Sequence, residues 1–541
     1  MLTFMRGEKP LTGPGQIYVK LLPDGEPVQL TNDNLHKMSP KFSPDGARIA
    51  YSTGIGSSTG IVDDATLDTW IVPVLGGQPR RLLTNAEGLT WFEDGSGPPR
   101  VLFSEMTGRD FQMSIVTSTE SHTEQRNVYM PSKTGMAHRS YLSPDRKWVL
   151  VIEMDGGTWL PCRLTPFDGS SPGKPVGPAP AQCTDAAWSP DGKWMYFSTN
   201  TGDGVHTWRQ RFPDGAPEQV TFGATQEEGI HFAPDGRSFV TSIGTSQSTV
   251  WVHDPHGDRQ ITSEGYSFRP SISPDGKKLY YLVRAGGTTS FIAGGLWAAD
   301  LDSGQRQRLL PDFQMRSYTI SADGQRVVFV AVDEKGRASV WLAPLNGRTA
   351  PRRLTTIDSL GSYFGAYFGA PGEVVFAGEE KAVAFIYRIK DDGSELQKMI
   401  PTSGLIPFAV SPAGRWVAAQ DSRAWGALFV FPAAGDTPTL ICGNCSPPQG
   451  PDPIPPYMSW TPDGRFLYLK FAASTYAIPL RTGQVLPPIP SSGFQSKEAV
   501  AALPGARLVS EQESMYPGPD PSIYAFTKVA TQRNIYRVPV P

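Results

Sequence analysis

The sequence has no long uninterrupted apolar run. No stretch of the 541-residue chain approaches the roughly 18 uninterrupted apolar residues of a transmembrane helix, so we expect no direct insertion of this chain into a membrane. The first residues, Met1–Arg6, also lack the apolar core of a signal peptide. If the chain is complete as given, these absences predict a cytoplasmic protein.

A large excess of charge of either sign is also missing. Lys and Arg number 49 and Asp and Glu number 52, which gives a formal net charge of −3, and no long basic run occurs. Nucleic acid is therefore not an expected partner. The seven histidines are dispersed and form no metal-binding motif, so we predict no metal site and no cofactor.

Cysteine is scarce as well. Cys162 and Cys183 flank a loop rich in proline and glycine, whereas Cys442 and Cys445 form a CxxC motif. A zinc site would need a second such pair, and a redox motif normally opens a helix, whereas Pro447 follows here. The pattern favours a structural role. The even number is compatible with two disulfides in an oxidising compartment but leaves their formation open.

Glycine and proline, in contrast, are abundant, with 56 and 51 residues. Many of them belong to one recurring string, Ser-Pro-Asp-Gly, first seen at Ser43–Gly46. Further copies, with at most one change each, are Ser143–Arg146, Ser189–Gly192, Ala233–Gly236, Ser273–Gly276, Ser321–Gly324, Ser411–Gly414 and Thr461–Gly464. This recurrence indicates a repeat architecture.

Each residue type in the string suits a tight turn. Proline fixes φ, glycine adopts positive φ, and the Asp and Ser side chains hydrogen-bond nearby backbone amides. A large apolar residue precedes each copy, as Phe42 does, and an alternating strand follows it, as in Arg48–Tyr51. The string therefore predicts a hairpin turn rather than a catalytic loop.

Two further strands complete each repeat. The third carries an aromatic or aliphatic core, as in Thr69–Pro73, and the fourth often ends in Leu-Thr, as at Leu83 and Thr84. A repeated four-stranded antiparallel unit is a β-propeller blade, so the predicted fold class is all-β, with tandem β-propellers. Eleven complete units begin near residues 37, 88, 138, 184, 228, 267, 315, 364, 406, 456 and 497.

Residues 1–31 add three strands of a twelfth blade that lacks its innermost strand. Twelve blades exceed the usual single ring. We therefore expect two six-bladed propellers, 1–265 and 266–541, with seven plus five blades as the alternative. An open strand edge invites aggregation, so either a strand from elsewhere closes the first ring or the missing strand lies upstream of this sequence.

The repeats resemble the WD-like propeller repeats of the TolB family, whose signature is a Ser-Pro-Asp-Gly hairpin, an Ile-Ala-Phe-type strand and a terminal Leu-Thr. More narrowly, Gln16–Gly25, Met136–Pro144 and Asp191–Ser198 resemble the C-terminal sensor region of bacterial membrane-anchored serine/threonine protein kinases. In that family a cytoplasmic kinase domain and one membrane helix precede the propeller. The resemblance implies an extracytoplasmic, periplasmic sensing or binding module with a kinase and membrane segment upstream.

The chain departs from that family because it contains neither the kinase nor the membrane helix. A Gly-rich phosphate loop, a His-Arg-Asp loop and an Asp-Phe-Gly motif are all absent from the sequence. Gly56–Gly60 fits the Gly-x-Ser-x-Gly pattern of hydrolases, but a nucleophile elbow precedes a helix, and the strand around Trp70 follows here. We therefore predict that this chain is not an enzyme.

Residues that enter the innermost strands lie near the mouth of a propeller's axial channel, a common ligand site. The candidates share a charged or imidazole side chain at that position: His36, Lys37, His138, Arg139, Asp185, Glu228, His231, Arg269 and Arg316. We predict that they form one mixed-charge site for a polar ligand or a peptide terminus. Ordinary salt bridges between blades are the alternative interpretation.

The predicted function is a non-catalytic module that binds a protein or a small polar ligand, as the sensory part of a receptor-type kinase separated from its kinase domain. One alternative is a TolB-like periplasmic scaffold that binds protein partners. Another is a propeller hydrolase or lyase with its active site in the channel. The fold alone does not distinguish these functions.

Overall fold

The computed structural model consists almost entirely of β-strands. It describes residues 1–7, 14–53, 67–93, 95, 97, 99–107, 112–132, 135–155, 158–202, 204–263, 265–284, 293–332, 338–356, 365–380, 383–400, 402–421, 427–435, 437–443, 445, 457–512 and 514–540. Within these ranges, no helix is long and apolar enough to cross a membrane. The hydrolase-like string Gly56–Gly60 lies outside the described residues.

The Ser-Pro-Asp-Gly string closes a hairpin, as the sequence predicts. In the first copy the Gly46 amide, at φ 68°, donates to the Ser43 carbonyl over 2.8 Å. The Ser43 hydroxyl accepts from the Arg48 amide (3.0 Å), and the Asp45 carboxylate accepts from the Ala47 amide (3.0 Å). Hydrogen bonds from Ser43 and Ala47 lower the pKa of Asp45. The turn is therefore fixed by its own side chains.

The sheets of the first half follow one another along the chain. A three-stranded antiparallel sheet contains β1 (Leu2–Gly7), β2 (Gly15–Lys20) and β3 (Val28–Gln29). The next sheet is four-stranded: β4 (Lys37–Phe42), β5 (Arg48–Thr53), β6 (Asp68–Pro73) and β7 (Arg80–Leu83). Two further units share one sheet. They are β8 (Glu87–Phe92), β9 (Arg100–Thr107), β10 (Gln112–Thr119) and β11 (Arg126–Tyr129), then β12 (Gly135–Leu142), β13 (Trp148–Asp155), β14 (Thr158–Trp159), β15 (Arg163–Pro166) and β16 (Lys174–Pro175).

The pattern continues to the middle of the chain. A four-stranded sheet contains β17 (Gln182–Trp188), β18 (Trp194–Asn200), β19 (Val205–Arg211) and β20 (Pro217–Gln219). Three strands then belong to a larger sheet: β21 (Gln226–Phe232), the long β22 (Ser238–Asp254) and β23 (Gly257–Gln260). The same large sheet includes β24 (Tyr266–Ile272), β25 (Lys278–Arg284), β26 (Gly295–Asp300) and β27 (Arg306–Leu309).

Four four-stranded sheets make up most of the second half. They are β28 (Met315–Ile320), β29 (Arg326–Val332), β30 (Ala338–Pro344) and β31 (Arg352–Thr356); β32 (Ala366–Phe368), β33 (Glu373–Glu380), β34 (Val383–Lys390) and β35 (Gln397–Ile400); β36 (Leu405–Val410), β37 (Trp416–Asp421), β38 (Leu428–Pro432) and β39 (Thr439–Cys442); and β40 (Met458–Trp460), β41 (Phe466–Phe471), β42 (Ser474–Pro479) and β43 (Arg507–Ser510). Helix α1 (Lys497–Ala501) precedes β43, and the chain continues through β44 (Met515–Pro517) and β45 (Tyr524–Pro539).

A long two-stranded ladder connects the two halves. β22 pairs antiparallel with β45 from Ser238 opposite Pro539 to His253 opposite Tyr524. The first part of β22 also pairs with β21, whereas its last part pairs with β23, and β44 pairs with the start of β45. One end of the ladder therefore belongs to the last repeat unit of the first half, with β21. The other end belongs to the last repeat unit of the second half, with β23 and β44.

The predicted all-β propeller fold is confirmed, with antiparallel four-stranded sheets in series. Two predicted units differ. The unit near residue 228 contains one 17-residue strand in place of two shorter ones. The unit predicted near residue 497 is wrong, because Lys497–Ala501 is a helix capped by Ser496 and β43 is the fourth strand of the preceding sheet. The Pro-Gly pair at Pro504 follows that helix rather than closing a hairpin.

The core lies between neighbouring sheets. Leu102 and Ile115, for example, pack with Ala137, Val149 and Val151 of the next unit, and all are fully buried. Each such aliphatic side chain contributes about 1.5–3 kcal/mol by leaving water. Packing between successive repeat units therefore holds the innermost strands in place.

Both cysteine pairs form disulfides, Cys162 with Cys183 and Cys442 with Cys445. The first joins the segment before β15 to β17, which begins the next unit. The second closes a short loop after β39. The CxxC motif is thus part of the fold, in agreement with the structural interpretation of its sequence.

Candidate functional site: a charged cavity in the first half

A cavity of about 920 Å³ lies where the innermost strands of the first half meet. One lining residue from each of six strands illustrates its position: Met5 (β1), Lys41 (β4), Gly88 (β8), Arg139 (β12), Asp185 (β17) and His231 (β21). A cavity of this size can hold a small ligand or a short peptide.

Irregularities in the innermost strands turn polar side chains towards this cavity. The register shifts between Met38 and Lys41 in β4, and again between Glu228 and His231 in β21. Similar shifts occur just before Arg139 in β12 and Asp185 in β17. A β-bulge inserts an extra residue and re-aims the side chains beside it. The repeated bulge therefore explains how strands with apolar flanks present charged groups to one space.

Arg139 and Asp185 lie at the centre of a hydrogen-bonded cluster. The Arg139 guanidinium donates to the Thr184 carbonyl over 3.2 Å. Asp185, only 5% exposed, accepts from the Tyr141 hydroxyl and from the Ala186 amide, the latter over 2.8 Å. Burial and the Asp185 charge raise the pKa of Tyr141 well above its usual value, so Tyr141 remains a donor to the carboxylate.

Lys41 lies beside this cluster. Its ammonium group donates to the Thr90 hydroxyl over 2.8 Å and lies 4.7 Å from the centre of the Tyr141 ring. Burial lowers the pKa of Lys41 to about 8; the attraction of Asp185 opposes this shift and the repulsion of Arg139 adds to it. Lys41 is therefore a cation that can lose its proton just above neutral pH.

The His231 side chain is exposed in the charged cavity, whose walls surround it with protein. Burial is the main cause that lowers its pKa, and the cations Lys41 and Arg139 act in the same direction. Asp185 opposes them. At neutral pH the imidazole is consequently uncharged, and it can both donate and accept a hydrogen bond.

The far wall of the cavity belongs to the ladder of β22 and β45. Arg533 donates to the carbonyls of Gln226 (3.1 Å) and Ser242 (3.0 Å), and its guanidinium lies 3.7 Å from the Glu228 carboxylate. Eight charged residues are among the described lining residues. Six are cations, namely Arg6, Lys20, Lys41, Arg139, Arg533 and Arg537, and two are carboxylates, namely Asp185 and Glu228. The cavity is therefore electropositive although the whole chain is slightly acidic.

The nine predicted site residues do not all lie at one site in the structure. Arg139, Asp185, Glu228 and His231 line the charged cavity. Lys37 instead is fully buried and donates to Asp33 and to two backbone carbonyls.

The two remaining histidines of that set have other positions. His138 lies 3.4 Å from Glu87 and packs against Trp159, and His36 forms a backbone bridge with Pro14. Neither is among the lining residues of the charged cavity. The ligand-binding role of the nine residues stays a prediction.

The two arginines predicted from the second half do not line the charged cavity. Arg269 lines a second cavity, of about 560 Å³, and Arg316 is buried with 4% exposure outside the lining of both cavities. Six strands contribute to this second cavity, mostly through aromatic side chains: Arg269 (β24), Tyr318 (β28), Tyr367 (β32), Phe408 (β36), Trp460 (β40) and Tyr516 (β44). The two cavities thus differ in character, one charged and one aromatic.

Several lining residues were missed from the sequence, among them Lys41, Tyr141 and Arg533. Lys41 and Tyr141, like His231, directly precede the apolar residue before a Ser-Pro-Asp-Gly copy, and this position points away from the apolar face of the strand. That regular spacing is a signal that could have identified them. Arg533 gave no such signal, because its place depends on pairing with Ser242 across 291 residues.

Several solved structures are similar to this chain. No protein-family model and no curated protein matches the chain. Similar solved structures include a putative TolB from Agrobacterium tumefaciens, 16% identical over 53% of this chain and 99% of that one, with a TM-score of 0.36. TolB from Acinetobacter baumannii is 14% identical over 52% and 75% of the two chains, with a TM-score of 0.33.

The prediction that the chain is not an enzyme is corrected by the same comparison. A puromycin-hydrolyzing peptidase from Mycobacterium tuberculosis matches 65% of this chain and 58% of its own, at 16% identity and a TM-score of 0.30. The missing sequence motifs therefore do not exclude catalysis, because one fold can carry many functions. In the described part of the chain, no group of three or more His, Cys, Asp or Glu residues is placed to hold a metal ion.

Proposed function

We propose that the chain is a propeller binding module whose charged cavity holds an anionic group of a protein or of a small polar ligand. The excess of cations over carboxylates in the lining supports this proposal. Hydrogen bonds between a guanidinium and an anion are strong where water is partly excluded. Arg139 and Lys41 provide such donors beside the neutral imidazole of His231, which makes this end of the cavity the expected anion site.

Replacing Arg139 and His231 together tests the proposal. Arg139→Gln with His231→Gln should leave the fold intact, because both side chains face the cavity, but should weaken the binding of citrate at least about tenfold, the effect of losing charged hydrogen bonds. Isothermal titration calorimetry in a chloride buffer of fixed ionic strength measures the affinity. Circular dichroism and the melting temperature report the fold.

Arg269→Gln, in the aromatic cavity, is the matched control and should bind citrate as the wild type does. Two results would contradict the proposal. One is a wild-type protein that does not bind citrate. The other is a folded double variant with unchanged affinity.

We further propose that this binding serves sensing outside the cytoplasm, as part of a receptor-type serine/threonine kinase. The resemblance of Gln16–Gly25 and Met136–Pro144 to such sensor regions supports this role. Two disulfides are typical of an oxidising compartment. The DNA upstream of this sequence is the direct test: an in-frame kinase domain and membrane helix are expected, whereas a secretory signal alone would favour a TolB-like scaffold.

A further inference from the structure

The aromatic cavity of the second half takes no part in the proposed function, although its volume of about 560 Å³ can also hold a small ligand. Three adjacent repeat units place an aromatic lining residue three positions before their turn: Tyr318 before Ser321, Tyr367 before Ala370 and Phe408 before Ser411. Corresponding positions of the repeat lie at the same depth, so these three rings form one wall. The Trp460 ring lines the cavity nearer the turns. A flat apolar group would therefore meet aromatic rings on this side.

Arg269 is a cation at the edge of this aromatic wall. It lines the cavity four residues before its turn, which begins at Ser273. Its φ is 49°, whereas Gly229 occupies the same position before Ala233 with a φ of 83°. A positive φ is unfavourable for a residue with a side chain, and such backbone strain is concentrated at functional sites. The backbone at this position favours glycine, so the presence of an arginine points to a role of its side chain in the cavity.

The donors of the Arg269 side chain are not all satisfied within the protein. Its Nε atom is buried and has no acceptor in the part of the chain that the structure describes. The Tyr318 hydroxyl donates to the Arg269 backbone carbonyl over 2.7 Å, which leaves the guanidinium group unpaired at Nε. Burial raises the pKa of Tyr367 to about 12, and the charge of Arg269 opposes this shift, so the Tyr367 phenol stays protonated and can donate. A buried cation without an acceptor is unfavourable, and an anion beside Arg269 would remove that cost.

Three carboxylates also line the cavity, but at its other end, where the hairpin turns lie. Asp323 lies in the turn after β28, Glu373 begins β33, and Asp391 directly follows β34. The last two are paired, Glu373 with Lys390 over 3.0 Å and Asp391 with Arg326 over 3.1 Å. These carboxylates repel a second negative charge on a ligand. The cavity therefore favours a ligand with a single anionic group, held at the opposite, arginine end.

We propose that the aromatic cavity binds a small aromatic monocarboxylate, with its carboxylate against Arg269 and Tyr367 and its ring against Phe408 and Trp460. A quaternary ammonium ligand, which aromatic cages often bind, is disfavoured by the charge of the arginine. A neutral aromatic ligand would leave the guanidinium group without an acceptor. The inference concerns a second site and does not depend on the proposed function of the charged cavity.

Three indole compounds of similar shape test the charge of the ligand. At neutral pH indole-3-acetate is an anion, indole-3-acetamide is neutral and tryptamine is a cation. In isothermal titration calorimetry with the full chain, indole-3-acetate should bind at least about tenfold more tightly than the acetamide, the effect of a charge-assisted hydrogen bond. Tryptamine should bind more weakly than either. Acetate at the same concentration, which lacks the ring, should not compete with indole-3-acetate.

Variants of the protein assign the site. Arg269→Gln should lower the affinity for indole-3-acetate at least about tenfold and leave the affinity for the acetamide nearly unchanged. Trp460→Leu should weaken the binding of both compounds, because the aromatic contact is lost. Arg306→Gln, at an exposed position of β27 outside the described cavity lining, is the matched control and should bind both compounds as the wild type does. Circular dichroism and the melting temperature report the fold of each variant.

Several results would overturn the inference. One is a wild-type protein that does not bind indole-3-acetate, or that binds it and the acetamide equally well; this comparison decides even if Arg269→Gln does not fold. Another is a folded Arg269→Gln variant with unchanged affinity. If instead Arg139→Gln with His231→Gln removes the binding, the compound occupies the charged cavity and the aromatic cavity is not its site. Citrate binding by the wild type remains the separate test of the proposed function, so the two proposals can fail independently.

Discussion

Lys41 shows how position, rather than residue type, sets the chemistry of the charged cavity. A lysine on a solvated strand is fully protonated at neutral pH. Here burial beside Arg139 lowers its pKa to about 8, while Asp185 limits the shift. The charge of the anion site consequently depends on pH in a range where Arg139 stays protonated.

Citrate binding should therefore weaken with rising pH. Protonated Lys41 attracts the anion and neutral Lys41 does not, so affinity should be full well below about pH 8 and should decline as the pH rises through that value. A bound anion raises the pKa of Lys41 and moves the decline upwards. Calorimetric titrations from about pH 7.2 to about pH 9.5, where nearly all citrate carries three charges, measure the profile.

Lys41→Arg is the control for this profile. Arginine stays protonated over the whole range, so the variant should bind citrate with little dependence on pH. If wild type and variant share the same decline, another group is responsible.

Individual site residues were only partly predictable. The innermost-strand position identified Arg139, Asp185, Glu228 and His231, because the repeat fixes which strand faces the centre. It did not distinguish Lys37, which is two residues closer to the strand entry than Arg139 and Asp185 are in their strands and is buried against Asp33. Side-chain direction changes with every residue of a strand, and bulges shift it further, so a repeat locates a strand better than it locates a side chain.

The ladder of β22 and β45 shows the same limit at the scale of elements. The alternating pattern predicted strands on both sides of residue 245, and both exist as parts of one strand. The sequence pattern could not predict that β22 pairs with β45, because the alternation of apolar and polar residues in a strand does not show which distant strand pairs with it. The Ser-Pro-Asp-Gly hairpins were predictable for the opposite reason, since their hydrogen bonds are local.

Gly244 tests the ladder. A Cβ at this position would lie 2.0 Å from the Gln532 carbonyl oxygen and 2.6 Å from the Arg533 Cα, so a larger residue must displace the backbone of β45. We expect Gly244→Val to lower the free energy of unfolding by about 2 kcal/mol, a usual cost of overpacking, and to weaken citrate binding through Arg533. Urea unfolding and calorimetry measure the two effects.

Thr245→Val is the matched substitution at the neighbouring exposed position of β22. It adds no atom against β45 and should change stability by less than about 0.5 kcal/mol. If Gly244→Val is equally mild, the close approach of the two backbones does not limit stability.

At the scale of the whole molecule, we propose two six-bladed rings that exchange strands through the ladder. The first strands of six successive repeat units contribute to the lining of each cavity, which supports the six-plus-six division over seven plus five. The boundary predicted at residue 265 stays a proposal. The pairing of β22 with β45 extends this proposal. The second part of β45 belongs with the first ring, and the second part of β22 belongs with the second ring.

Division of the chain tests this arrangement. Expressed separately, residues 1–265 and residues 266–541 should each be incompletely folded, because each retains one strand of the ladder and exposes its long unpaired edge. Mixed together they should associate and regain the near-ultraviolet circular dichroism of the whole chain. The first piece with residues 524–540 attached through a flexible linker should gain stability alone. Two pieces that are separately native and do not associate would contradict the exchange.

The ladder also has a consequence for biosynthesis. Ser238 and its partner Arg537 are 299 residues apart in sequence, so the ribosome completes β22 long before the strand that covers it exists. During that interval, β22 exposes the unpaired edge from which strands aggregate. Contacts of such sequence separation also form slowly. Production of the intact protein should therefore depend on whatever shields β22 until β45 is made, and the yield of the soluble protein should rise when holding chaperones are abundant.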